Sequence, residues 1–230
     1  MIYVIPNFQN PTGITMSLER RLALAELASR HKIPLVEDNP YGELCYDSDT
    51  QLPAVKSFDR NKSIVYLGST SKILCPGFRV GWIYTDNPEF YRKFVLCKQA
   101  SDLHTGEFNQ RVIARYLRNY DIDNHIAKLR NLYRHRRDLM LRELDKKLSQ
   151  CVNYMRPGGG LFLWLTLPKS ADTTAMLEKA AEKKVSYLHG EAFYASEGVK
   201  NSIRLNFSNM SDEQIIEGID RLGRLLHVLL

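Results

Sequence analysis

Three short apolar runs constrain this chain more than any other feature. Residues 2–5, 33–37 and 63–67 each read as a strand, and each gives way to a polar, turn-rich stretch. Between the first two lies a helix. Ser17 can cap it, it runs to about His31, and Leu18, Leu22, Ala25 and Ala28 share one face. Strands alternating with a helix predict an α/β fold on a mostly parallel sheet covered on both faces. A returning run at 80–84 reads as another buried strand, with Trp82 in the core.

In such sheets ligands collect beyond the carboxyl ends of the strands. Three loops lie at such ends, at 7–13, 38–41 and 68–72. They carry Asn10, then Asp38 with Tyr41, then Ser69, Ser71 and Lys72. Arg79 opens the returning strand and can face back to the same place. Hydroxyls and a guanidinium suit a phosphate, and a lysine amine suits imine formation. A lysine after serines is ordinarily a solvated loop lysine, and this one lacks the preceding glycine of a phosphate-binding Walker loop.

The second half has a different character. Helices are predicted from 87 to about 103 and from about 107 to 120. A longer one follows at about 122–148, on Ile122, Ile126, Leu129, Tyr133, Met140, Leu144 and Leu148, with Arg136 and Arg137 filling a gap in the stripe. Its length of roughly 40 Å suffices to bridge two domains. After P-G-G-G at 157–160, strands at 161–165, 185–188 and 202–207 mix with helices at 172–183 and beyond Ser211. Ser211 and Gln214 fit a capping box ahead of Ile215, Ile219, Leu222, Leu226 and Leu229. This is a small α+β unit. Trp164 reads as core. The predicted organisation is a first domain at 1–120, an interdomain helix at 121–150 and a small domain at 151–230.

Composition narrows the partners. At 44% hydrophobic and 25% charged, the chain is ordinary for a globular protein. The net charge of +6 is concentrated between Lys128 and Lys147 among interspersed acids, which fits a solvated helix face better than nucleic-acid binding. Cys45, Cys75, Cys97 and Cys151 are too widely spaced for a zinc site or a disulfide framework, so no metal is expected and a reducing cytoplasm fits. No apolar run reaches membrane-spanning length and no signal peptide opens the chain.

Six motifs carry a resemblance. They are N-P-T-G at 10–13, E-D-N-P-Y at 37–41, S-T-S-K at 69–72, P-G-F-R-V-G-W at 76–82, P-G-G-G-L-F-L-W at 157–164 and I-R-L-N-F at 203–207. In this order the chain resembles the pyridoxal-phosphate (PLP) aminotransferases of fold type I, class I/II. It is most similar to the group of 2-aminoadipate and kynurenine aminotransferases and the aminotransferase domains of MocR-type regulators. The resemblance implies a PLP-transferase fold with a large mostly parallel-sheet domain and a small α+β C-terminal domain. Members carry a substantial segment before the N-P-T-G loop, so the chain is expected to be the C-terminal part of a subunit, with 1–120 the C-terminal part of the PLP-binding domain.

The same resemblance implies roles. Lys72 would be the Schiff-base lysine and then the proton carrier. Asp38 would face the pyridine nitrogen. Tyr41 and Asn10 would hydrogen-bond the cofactor's phenolic oxygen, and Ser69, Ser71 and Arg79 would hold its phosphate. Arg204, with Asn10, would bind the substrate carboxylate, and the Asn10–Pro11 bond would be cis. The implied reaction is transamination between an aromatic, branched-chain or 2-aminoadipate-like amino acid and a 2-oxo acid such as 2-oxoglutarate, by a cytoplasmic homodimer. Two alternatives stand beside it: a non-catalytic PLP- or effector-sensing domain of a MocR-type regulator, and an inactive truncated fragment.

Overall fold

The computed structural model describes residues 1–47 and 52–229, and the side chain of Leu229 lies outside that description. Contacts divide the chain into two units: Met1–Asn7 with Ile14–Leu129, and Phe8–Gly13 with Arg130–Leu230.

The first unit holds a four-stranded sheet of β1 (Ile2–Val4), β2 (Leu35–Asp38), β3 (Ile64–Ser69) and β4 (Gly81–Tyr84), in that order. The first three are parallel and β4 returns antiparallel to β3. Helix α1 (Leu18–Arg30) starts at Ser17, whose side chain accepts the Arg20 N–H. Such a cap stabilises a helix by about 1 kcal/mol. Ala25 and Ala28 pack with Leu35, Val55 and Ile64, and Ile2, Val4, Leu24 and Phe58 close around them. Small alanines let the helix sit close to one face of the sheet.

The face of α1 that is buried differs from the expected one. Leu18 and Leu22 are exposed, and Arg21 is fully buried in their place. Arg21 is held there by carbonyls. It donates to the backbone oxygens of Met16, Pro53 and Pro6 and to Asn7 Oδ1. A buried guanidinium with that many acceptors fixes the helix rotation more firmly than two leucines could. Burial pulls its pKa down, and the nearby Glu37 opposes that.

The strand at 80–84 is also corrected. β4 is exposed along its whole length, and Trp82 is 47% exposed rather than core. It is the last strand in the order, so among the described residues only β3 pairs with it. Trp82 lies opposite Gly68, and its ring occupies the space that a Cβ on that glycine would need. Helices α2 (Pro88–Asp102) and α3 (Glu107–Asn119) follow. Asn87 caps α2 by accepting from the N–H of Glu89 and Phe90, and Pro88 opens it.

Helix α4 (Ile122–Leu148) contains the division between the units. In the second unit β5 (Asn153–Tyr154), β6 (Phe162–Thr166), β7 (Leu188–His189) and β8 (Ser202–Asn206) form an antiparallel sheet in the order β5-β6-β8-β7. Met140, Leu144 and Leu148 of α4, Leu163 and Leu165 of β6, and Ile203 and Leu205 of β8 are buried. So are Ile215, Ile219, Leu222 and Leu226 of helix α6 (Asp212–Leu229). The capping box forms as expected: Gln214 N–H donates to Ser211 Oγ, and Ser211 N–H to Gln214 Oε1. The gap in the α4 stripe is filled by Arg137, which is buried and donates to the Pro157 carbonyl.

Helix α5 covers only Leu177–Glu182, not the expected 172–183. Asp172 Oδ1 takes the N–H groups of Thr174 and Ala175, and Thr173 is buried against the carbonyls of Lys200 and Ser202, so a turn competes successfully with the helix start. Trp164 is half-buried, edge-on to Phe193 and tilted against Tyr194. Among the described residues no helix is long and apolar enough to cross a membrane.

Candidate functional site

Candidate residues of the first unit gather where the parallel strands end. Asp38 is the last residue of β2. The register pairs Tyr3 with Val36, and side chains two apart on a strand share a face, so Tyr3 and Asp38 lie on the same side of the sheet. The Tyr3 hydroxyl donates to Asp38 Oδ2 at 2.5 Å. Asp38 Oδ1 has no protein donor among the described residues.

The loop after Asp38 is pinned from the opposite face. Arg21 donates to Asn7 Oδ1 at 2.6 Å, Asn7 Nδ2 to Asn39 Oδ1 at 2.7 Å, and Asn39 Nδ2 to the Tyr66 hydroxyl at 2.8 Å. A guanidinium can only donate, so the direction of every bond in the chain follows from its first member. Asn39 N–H also donates to the Leu67 carbonyl. Glu37, wholly buried, accepts the N–H of Val55 and of Lys56. Burial pushes its carboxyl above the usual range, and those two bonds and Arg21 only partly offset it. Tyr41 is buried just beyond.

The third loop follows β3. Thr70, buried, donates its N–H and hydroxyl to the Val80 carbonyl and accepts from the N–H of Leu74 and Cys75, which folds the loop back on itself. Ser71 N–H donates to Ser69 Oγ. Lys72 is half-buried in this turn, and its amine meets no carboxylate among the described residues. Arg79 is exposed, in left-handed backbone at φ 54°, with one N–H on the Pro76 carbonyl at 3.4 Å.

The second unit holds the remaining two candidates, and they touch. Arg204, in the middle of β8, donates to Asn10 Oδ1 at 2.6 Å. Its guanidinium lies 4.3 Å from the centre of the Phe162 ring and 5.3 Å from that of Phe193. With its oxygen taken by Arg204, the Asn10 amide presents its N–H groups as donors. The loop that carries Asn10 is tight. Gly13 N–H donates to the Gln9 carbonyl, and the Asn10–Pro11 bond is cis. Gly13 adopts φ +74°, and a Cβ on it would lie 3.1 Å from the Phe162 oxygen.

A family profile matches residues 2–222, described as aminotransferase class I and II. The chain belongs to that family. Among aminotransferases of this family, it is 46% identical to aromatic-amino-acid aminotransferase 1 of Thermococcus litoralis, covering 98% of this chain and 54% of that relative. It is 37% identical to the 2-aminoadipate transaminase of Thermus thermophilus, covering 100% and 58%. A crystal structure of Pyrococcus horikoshii kynurenine aminotransferase with PMP and kynurenine superposes with a TM-score of 0.94 at 45% identity, over 99% of this chain and 56% of that one. The chain thus has the fold-type-I architecture of these relatives and spans about half the length of the curated relatives it matches. A helix-turn-helix transcriptional regulator of Bacillus subtilis, YdfD, is 32% identical over 100% of this chain and 47% of its own length.

Sequence reasoning missed Tyr3, Asn7, Arg21, Asn39, Tyr66, Phe162 and Phe193 as contributors to these sites. Period-two alternation in β1 was a usable signal for Tyr3. Nothing local marked Arg21, because its acceptors come from residues 6, 7, 16 and 53.

Proposed function

We propose that the chain carries the catalytic lysine and the carboxylate-binding arginine of a PLP-dependent aminotransferase. The observation that carries this reading is Lys72, a half-buried amine bound to no carboxylate among the described residues, in a turn closed on itself. The donor set fits pyridoxal 5′-phosphate. Asp38 keeps Oδ1 open, Ser69, Ser71 and Arg79 supply phosphate donors, and the Tyr41 phenol suits a phenolic oxygen. When bound, that cofactor drains charge from the substrate Cα through its pyridine ring.

Each residue then has one task. The Lys72 amine would hold the cofactor and, once freed, would act as general base toward the substrate Cα proton and then as general acid. Asp38 keeps the ring nitrogen protonated. Arg204, with its guanidinium over the Phe162 ring, offers a planar fork to the α-carboxylate. Aromatic, branched-chain or 2-aminoadipate-like amino acids are the proposed substrates, with 2-oxoglutarate as acceptor, in a cytoplasmic homodimer. Residues 1–120, 121–150 and 151–230 are the proposed cofactor domain part, interdomain helix and small domain.

The test is an absorbance scan of the purified chain with added PLP, beside Lys72→Ala. A visible band that shifts on adding an amino acid, and is missing from the variant, supports the reading; identical spectra from the two proteins reject it. A second reading, a PLP- or effector-sensing domain, is favoured by the match to a transcriptional regulator over the whole chain. It predicts the same Lys72-dependent band without release of an oxo acid.

A further inference from the structure

We propose that Tyr3 is a positioning residue for Asp38: its hydroxyl engages Oδ2 and so decides which carboxylate oxygen is left for the cofactor's ring nitrogen, and in what orientation. The inference rests on the role of Asp38 proposed above.

The core dictates where Tyr3 points. Ile2 and Val4 pack with the α1 cluster, so Tyr3 between them must project from the opposite face. A slip of one residue would send Tyr3 into the core and bring Ile2 and Val4 out of it. The register sets Tyr3 beside Val36, and its ring spans the one remaining step along β2 to reach Asp38. No other described donor touches that carboxylate.

The chemistry of the donor matters as much as its place. A hydroxyl on an ionised carboxylate makes a short, charge-assisted bond, and 2.5 Å is at the short end of that range. Being neutral, it orients the carboxylate without cancelling the charge that a protonated ring nitrogen needs. An arginine or lysine here would compete for that charge. Partial desolvation, and then the bond to Asp38, raise the Tyr3 pKa above its ordinary value of 10.0. Tyr3 is 54% exposed, which for a tyrosine is ordinarily a plain surface position. The bond to the one carboxylate at the end of β2 sets it apart.

The experiment is a double-mutant cycle on cofactor affinity. PLP is titrated by its visible band into the full chain, Tyr3→Phe, Asp38→Ala and the double variant, up to millimolar concentration. Phe keeps the ring, and the unfolding midpoint without cofactor is expected to stay put. We expect Tyr3→Phe to weaken binding about tenfold beside Asp38 and less than about twofold in the Asp38→Ala background. The same loss in both backgrounds, or no loss in either, overturns the positioning role. A chain whose affinity responds to Asp38→Ala but not to Tyr3→Phe sinks this proposal alone. A chain with no band at all sinks the cofactor reading and this inference with it.

Discussion

Arg204 donates to the side-chain oxygen of Asn10, a residue 194 positions earlier in the chain, at 2.6 Å. The bond takes the asparagine oxygen and leaves its amide N–H groups as donors. The guanidinium is also held over the Phe162 ring, so Asn10 and Phe162 together orient the fork proposed for a carboxylate. Arg204→Lys keeps the charge and loses both the plane and the stacking. Its rate constant for reaction of an amino acid with the PLP-loaded chain should fall roughly 10- to 100-fold, as expected when hydrogen bonds to a charged group are lost. Asn10→Ala should cost less, and the double variant less than the product of the two, because they share one bond. Stopped-flow absorbance reads all three.

Arg21 is expected to dominate the stability of the first unit. Arg21→Leu leaves the carbonyls of Pro6, Met16 and Pro53 and the Asn7 oxygen without their buried donor, and removes the positive charge that partly offsets the burial of Glu37. Such losses cost about 3–5 kcal/mol. Urea unfolding followed by circular dichroism should show this as a lower midpoint. Arg21→Lys should recover only part, since one ammonium cannot reach four separated acceptors. A loss below about 1 kcal/mol for the leucine variant would contradict the account.

Gly160 tests the loop before β6. It adopts φ +74°, and a Cβ there would lie 2.5 Å from Phe8 Cβ. Gly160→Ala should therefore destabilise by more than about 1 kcal/mol, from backbone strain and the collision together. Gly198→Ala is the control: φ is +92° but nothing lies within 4 Å, so only the backbone cost applies. Equal unfolding midpoints for the two variants would show that the Phe8 contact does not matter.

The pH dependence should expose Asp59. Its carboxylate is 1% exposed and accepts from Lys56 Nζ at 2.7 Å, Ile64 N–H at 2.9 Å and Ser63 N–H at 3.1 Å. Burial alone would raise its pKa, but these donors outweigh it and hold the group below its ordinary 3.8. A carboxyl depressed in the folded state contributes its full stability above the unfolded value, and that contribution is lost as pH falls through the folded one. Asp59→Asn should thus lower stability at pH 7, and the gap to the parent should close as pH falls below about 4. A gap that stays constant with pH would show that the charge of Asp59 is immaterial.

The elements that local pattern marks most strongly were legible from the sequence. The long helix at 122–148 and the capping box at Ser211 appear where periodicity and cap chemistry put them. The strand ends drifted by one to three residues, since nothing local marks where a ladder stops: 63–67 became Ile64–Ser69, and 185–188 became Leu188–His189. α5 lost its first turn because Asp172 and Thr173 found partners outside a helix.

The candidate site divides the same way. Which residues are candidates for chemistry, Lys72, Asp38 and Arg204 among them, follows from residue type at the ends of apolar runs and in recognisable motifs, so the sequence by itself nominates them. What they touch was decided only by the tertiary structure. The strand register brings Tyr3 to Asp38, and the fold brings Asn10 to Arg204. Arg21 is buried and Trp82 exposed, against their residue types. In each case the deciding partners lie far away in the chain, and hydrogen bonding and burial depend on distance in space, which no local window of sequence contains.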